Sequence, residues 1–229
     1  MTTILALDTT TTACSVALVH DGRLARRFVA TPREHTRLVL PMVDDLLSEA
    51  GISLAQVDSL AFTAGPGSFT GLRIGFGVVQ GLAFGADLPV VPISTLAALA
   101  LAGARAAELD SGCILPALDA RMGEVYWGLY CYKHGSIDAL RDDEVASPER
   151  VSEAGLQTPD LGVGDGWQLL EQVLTAVAVD PVVTPDAGCV AELALTEFER
   201  GGARPIDQLD LAYIRNEVSW KKRKKIRQG

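Results

Sequence analysis

The chain has 229 residues, 48% of them hydrophobic and few aromatic, which fills a core for one large domain or two small ones and excludes a disordered tail protein. Its net charge of −9 argues against a broad nucleic-acid groove, yet 221–227 carries six positive charges, so the remainder stands at −15: an acidic body with a basic tail. The four cysteines, Cys14, Cys113, Cys131 and Cys189, form no CxxC pair and no metal-ligand spacing, and read as reduced, mostly small core residues.

The first residues lack a basic start and a long apolar stretch, so no signal peptide is expected, and no apolar run approaches a membrane span; the reading is a cytoplasmic protein with no membrane partner. In chain order, 4–8 reads as a buried strand and 13–20 as a second, with Asp21-Gly22 as a hairpin turn and 23–30 returning. The segment between the first two strands, Asp8, Thr9, Thr10 and the threonines after them, has two readings: amides and hydroxyls offered to a phosphate, or a polar hairpin whose hydroxyls bond their own backbone. The period then changes, and 35–50 is helical with Gly51 as its stop. His35 opens that helix and reads as a local hydrogen-bonding residue; Leu38, Val39, Met42, Val43 and Leu46 occupy more than one of its faces, which points to an interface.

A strand at 57–63 leads into the loop 65–71 and a helix at 72–86. That helix start, with Ser68, Thr70 and Arg73, either holds an anion or is a tight turn capped by Ser68 or Thr70. From Ile74 to Ala86 the helix carries no charge, so it must be covered on all sides, whether inside the monomer or by a partner. Gly77, Gly81 and Gly85, spaced by four, form a bare ridge beside Ile74 and Val78 where another helix can approach. A strand at 89–93 and a helix at 95–108 complete this half.

The order then repeats: strands at 113–119, 124–132 and 137–145, a helix near 148–154, a strand at 161–163, and helices near 167–176 and 188–200. Leu7-Asp8 matches Leu118-Asp119 and Leu18 matches Leu129 at one offset. The repeated order suggests a duplicated unit of three strands, helix, strand and helix. Asp119, Arg121 and Glu124 near the second hairpin read as a salt bridge across the turn.

Four segments carry a family resemblance: 5–10 followed by 14–18; Gly65-Pro66-Gly67-Ser68-Phe69-Thr70-Gly71-Leu72-Arg73-Ile74-Gly75; 92–96; and 118–126. Together they resemble the TsaB/YeaZ family, over the whole chain. The resemblance implies an α/β fold of two actin-like (ASKHA, RNase H-like) subdomains with mixed sheets covered by helices. The first would span 1–106 and carry the partner-binding helices, and the shortened second would span 107–205. A segment at 206–229 would return to the first, ending in the basic tail.

It further implies a non-catalytic scaffold subunit that binds TsaD, in the transfer of threonylcarbamoyl to the adenosine next to the anticodon of tRNA. TsaE is a further implied partner, a homodimer forms when the chain is alone, and tRNA is met through the complex. The catalytic partner carries a His-x-x-x-His pair where this chain has Ser94 and Ala98, and the three histidines here lie far apart. No catalytic residue, metal or cofactor of its own is therefore expected, with ATP or ADP only at the complex interface. The alternatives are a stand-alone actin-like phosphotransferase, which needs a second phosphate loop and a catalytic acid, and an inactive glycoprotease-like protein.

Overall fold

The computed structural model describes residues 1–30 and 33–211. The N-terminal meander consists of β1 (Ile4–Asp8), β2 (Cys14–His20) and β3 (Arg23–Val29). β1 and β2 are apolar and buried on both faces, whereas β3 alternates and lies at the sheet edge. Asp21 and Gly22 both adopt positive φ, 49° and 72°, the conformation that joins two antiparallel strands with matching twist. α1 (His35–Ala50) ends where left-handed Gly51 and Ile52 donate their amides to Ser48 and Leu47. β4 (Ser59–Gly65), α2 (Phe69–Ala86) and β5 (Val90–Ser94) form a parallel βαβ unit, completing a sheet of order β3-β2-β1-β4-β5.

After α3 (Thr95–Ala106) the pattern recurs. β6 (Ser111–Arg121), β7 (Glu124–Lys133) and β8 (Ser136–Ala146) are followed by α4 (Pro148–Ser152), β9 (Leu161–Val163), α5 (Trp167–Leu170), β10 (Ala178–Asp180) and α6 (Ala187–Glu199). The second sheet has the order β10-β9-β6-β7-β8, the same arrangement strand for strand. The α/β class and the paired actin-like subdomains are thus found. β10 went unforeseen: it is as short as β9 but half exposed, without the apolar, fully buried character of Leu161–Val163. The expected helix at 167–176 is one turn long.

The residue match needs one correction. Leu7 faces the cluster under α1 and α2, on the outer side of the first sheet, while Leu118 faces the central core; Ala117 is the outward residue of β6. The Leu7–Leu118 pairing is therefore slipped by one, enough to flip every side chain to the other face. Leu18 and Leu129 do both face outward. The duplication rests on strand order.

α3 and α6 are exchanged between the halves. α3 follows the first sheet in sequence but packs chiefly on β6, β7, β8 and β9, and α6 follows the second sheet but lies across β1, β2, β4 and β5. The helix at 187–199, assigned by sequence order to the second subdomain, therefore covers the first sheet. The two helices also touch each other, so one apolar cluster joins Ile4, Ala6 and Ala61 of the first sheet to Ile114 and Leu161 of the second through Leu99, Ala100, Val190 and Ala194. Outside this layer, α1 and α2 cover the far face of the first sheet, and α4 and α5 that of the second. Beyond α6, Arg204 bridges Val90, and Ile206, Leu209 and Leu211 join the cluster under α1 and α2. The basic stretch at 221–227 lies outside the described residues.

Because the middle layer belongs to both halves, unfolding is expected as one transition. Leu99→Ala, at a fully buried site, should cost about 2–5 kcal/mol without splitting that transition. Denaturant unfolding followed by far-UV dichroism and by tryptophan fluorescence checks this: curves that separate would show two independent domains.

Candidate partner interface and the closed ligand loops

The loop after β1 packs against the start of α2, and the hydroxyls of Thr9 and Thr10 are spent inside the protein. Asp8 is fully buried; its Oδ1 accepts from the Thr10 amide (3.1 Å), the Thr10 hydroxyl (2.6 Å) and the Thr63 hydroxyl (2.7 Å). The Thr9 hydroxyl donates to the Gly71 carbonyl at 2.7 Å, and the Ser68 amide donates to the Thr10 carbonyl at 2.8 Å. Thr9 and Thr10 are buried. A Cβ on Gly71 would lie 2.0 Å from the Thr9 carbonyl oxygen, and one on Gly75 would lie 2.5 Å from the Thr9 hydroxyl. The absence of side chains there is what lets the two loops interlock.

Ser68 is the N-cap of α2, accepting from the Gly71 amide at 3.3 Å. Thr70 and Arg73 are exposed, and the Arg73 guanidinium lies 3.8 Å over the Phe69 ring. The six residues considered for an anion, Asp8, Thr9, Thr10, Ser68, Thr70 and Arg73, thus divide into a buried interlock, a cap and two exposed side chains.

One atom of the interlock is left over: Asp8 Oδ2 is buried and has no hydrogen-bond partner among the described residues. Burial pushes the Asp8 carboxyl above its usual range, and the donors from Thr10 and Thr63 offset this only in part. His35 has the local role expected of it, its Nε2 lying 3.1 Å from the carbonyl oxygens of both Thr11 and Ala13 and tying α1 to the same loop.

The interface residues divide sharply. Val39, Met42, Val43 and Leu46 are buried under α1 against the first sheet, and His35 is buried too, so none of them is open to a partner. This corrects their reading as contact residues: α1 is broad in its apolar pattern because it packs on the sheet and on neighbouring elements together. Leu38 is half-buried.

α2 is the reverse. Its buried residues are Gly71, Leu72, Gly75, Val79 and Ala83, one narrow stripe facing the sheet. Gly77, Gly81 and Gly85 are exposed, and among the described residues a Cβ on any of them would meet nothing within 4 Å. Phe84, 69% exposed, lies on the same side, and Ile74, Val78 and Leu82 flank the ridge half-covered. Of the two readings of this helix, burial inside the monomer is not what the glycine ridge does.

By length and composition, α2 is also apolar enough to cross a membrane, contrary to the expectation that no run approaches that size. Its place excludes a span. It is the crossover between the parallel neighbours β4 and β5, so threading a bilayer would tear it from the sheet.

Sequence reasoning missed a third feature. Ser94 caps α3, accepting from the amides of Leu96 and Ala97 at 3.1 Å, and donates to Asp143 Oδ2 at 2.5 Å. The Tyr130 hydroxyl donates to Asp143 Oδ1, also at 2.5 Å, which ties the end of β5 to β7 and β8. Burial pushes the Asp143 carboxyl up, and burial with the neighbouring Asp143 carboxylate pushes the Tyr130 hydroxyl up. Strand alternation could not reveal Asp143, because the β7–β8 register shifts between Trp127 and Leu129. Ala98, one turn after Ser94, is fully buried.

In the second half, Arg121 pairs with Asp119 two residues away at 2.8 Å. These two line an open cavity of about 520 Å³ with Met122, Gly123, Asp165, Gln168 and Leu169. Among the described residues, no three His, Cys, Asp or Glu side chains come together as a metal site.

The family model of TsaD, described as tRNA N6-adenosine threonylcarbamoyltransferase, matches residues 29–176. The tRNA threonylcarbamoyladenosine biosynthesis protein TsaB of Escherichia coli is 42% identical over 226 residues, spanning 96% of this chain and 97% of that protein. The TsaB of Haemophilus influenzae is 40% identical over 232 residues, 96% of each. The structure of YeaZ from Pseudomonas aeruginosa superposes with a TM-score of 0.87 at 43% identity, covering 93% of this chain and all of that one.

The buried Asp8 gives a pH dependence with a definite sign. Its folded-state carboxyl is raised above the ordinary value of 3.8, so its contribution to stability is complete below that value and is lost as pH rises through the raised one. Asp8→Asn should therefore flatten the decline of melting temperature with rising pH above about 4 relative to the unchanged chain. Parallel melting curves for the two proteins across that range would refute it.

Proposed function

The chain belongs to the TsaD-type family, among its TsaB proteins of tRNA threonylcarbamoyladenosine biosynthesis, and from that premise we propose that it serves as a non-catalytic scaffold subunit, binding TsaD through the exposed face of α2. The observation that carries this reading is the uncharged, glycine-ridged surface of α2, left open by the first sheet. In water such a surface is costly unless covered, and the bare ridge lets a partner helix approach at backbone distance. The remaining partners follow from the family: TsaE within the assembly, a second copy of this chain on the same face when TsaD is absent, and tRNA reached through the complex. The cytoplasm, where tRNA is modified, is the compartment this role requires.

Two features favour a scaffold over a phosphotransferase. The loop after β1 spends the hydroxyls of Thr9 and Thr10 on Gly71 and Asp8, where a phosphate-binding loop needs them free. The acid beside it, Asp8, is sealed from solvent. ATP or ADP would then be held only where this chain meets its partner. The isolated protein should accordingly hydrolyse no ATP above a buffer control, and turnover abolished by Asp8→Ala would establish the phosphotransferase instead.

A second measurement tests the interface. Gly81→Leu places a side chain in open space, so the melting temperature should stay within about a degree or two of the unchanged chain, an exposed substitution costing no more than about 0.5 kcal/mol. Overpacking a fitted contact costs about 1–3 kcal/mol, so affinity for TsaD, and self-association, should fall roughly tenfold or more. Sedimentation with and without TsaD reads both. A stable variant that still associates normally would remove α2 from the interface.

A further inference from the structure

The two half-exposed cysteines stand opposite each other on neighbouring strands. Cys113 of β6 is the direct cross-strand partner of Cys131 of β7, so their side chains leave the sheet on the same face. The neighbours Ile114 and Tyr132 point into the central core, which puts both thiols on the outer face of the second sheet. Both residues are intermediate in exposure.

The backbone bonding fixes the kind of pair. The Cys113 amide donates to Asp160 Oδ2 at 2.7 Å, and the Cys113 carbonyl accepts from the Asp160 amide at 2.9 Å. Both polar groups of Cys113 turn toward the β9 side and away from β7, so Cys113 and Cys131 form a non-hydrogen-bonded pair. In such pairs the Cα atoms approach to about 4.5 Å, with side chains closer than at hydrogen-bonded positions. Disulfides span roughly 4.4–6.8 Å between Cα atoms, so this pairing places the two cysteines at the near edge of bridging range.

We propose that Cys113 and Cys131 are a reversible dithiol–disulfide site, oxidised by a low-molecular-weight disulfide such as oxidised glutathione. One thiolate attacks the incoming disulfide, forming a mixed disulfide and releasing one glutathione thiol. The second protein thiol loses its proton and attacks the mixed disulfide at the protein sulfur, releasing the second glutathione. The two cysteine sulfurs are oxidised, one glutathione disulfide is reduced to two thiols, and both protons pass to solvent or the leaving thiolates. Burial and the carboxylate of Asp160 hold the Cys113 thiol above its ordinary value, which disfavours Cys113 as the first attacking thiolate.

The other two cysteines cannot compete. Cys14 and Cys189 are buried on opposite faces of the first sheet, and burial pushes their thiols up to about 11 and about 12. The site also lies on the outer face of the second sheet while α2 covers the outer face of the first, so oxidation leaves the proposed partner surface untouched.

The experiment incubates the reduced full-length chain with oxidised glutathione, then measures intact mass and maps peptides without reduction. The expected product has lost two hydrogens, links the peptides holding Cys113 and Cys131, and shows two fewer maleimide-reactive thiols, all restored by dithiothreitol. Cys131→Ser should abolish the link. Glutathione adducts on both cysteines with no internal bridge, persistence of both free thiols, or a link that survives Cys131→Ser would each overturn the proposal. The mapping on the unchanged chain needs no variant, so the test stands even if Cys131→Ser folds poorly.

Discussion

Burial of α3 and α6 between the two sheets is the constraint on which the rest of the structure depends. Each helix lies on the sheet that it does not follow in sequence, and the two touch in the middle. Both sheets therefore present an apolar inner face to one common layer, and neither half can shed its helix without exposing a fully buried face such as Ile4, Ala6 and Ala61 or Ile114 and Leu161. The polar contact from Ser94 to Asp143 and Tyr130 lies where the chain passes from the first sheet to the second. It fixes the direction of that passage, because Ser94 is at once the last residue of β5 and the cap of α3.

With the inner faces closed, only outer faces remain for anything else, and the two differ. The second sheet is covered by short helices that bury Val151, Trp167 and Leu170 against it and turn polar residues such as Glu149, Arg150 and Gln168 outward. The first sheet is covered by α1, which buries a broad face, and by α2, which buries a stripe of three small residues with Leu72 and Val79. A helix that meets its sheet through so narrow a line leaves most of its circumference outward. A charged remainder would make α2 an ordinary amphipathic surface helix; the lack of charge from Ile74 to Ala86 is what sets it apart.

Much of this was legible. The succession of elements along the chain apart from β10, the hairpin at Asp21-Gly22, the stop at Gly51 and the glycine ridge all follow from local signals that tertiary packing does not overrule. The rest failed for identifiable reasons. Val39, Met42, Val43 and Leu46 were misread because an apolar helix face gives no sign of whether a sheet or a partner covers it. The Leu7–Leu118 match failed because identity at one offset ignores the sheet face, and one residue reverses it. Asp143 was hidden by a shift in strand register. The exchange of α3 and α6 leaves no local mark, since both are apolar helices following a strand, as helices packed on their own sheet would be.

The interlock of Thr9 with Gly71 and Gly75 closes a loop that could otherwise offer polar groups to a ligand. A loop that binds phosphate must leave amides and hydroxyls unpaired until the ligand arrives, and those unmet donors cost stability in the empty state. Here the same groups are satisfied internally: the Thr9 hydroxyl bonds Gly71, the Thr10 hydroxyl and amide bond Asp8, and the Ser68 amide bonds Thr10. Only Asp8 Oδ2 is left over. Closing the loop removes the cost of an empty site and stiffens the N-terminus of α2. Because that terminus anchors α2 to the sheet, the bonds that close the loop also hold the exposed, uncharged face of α2 in place.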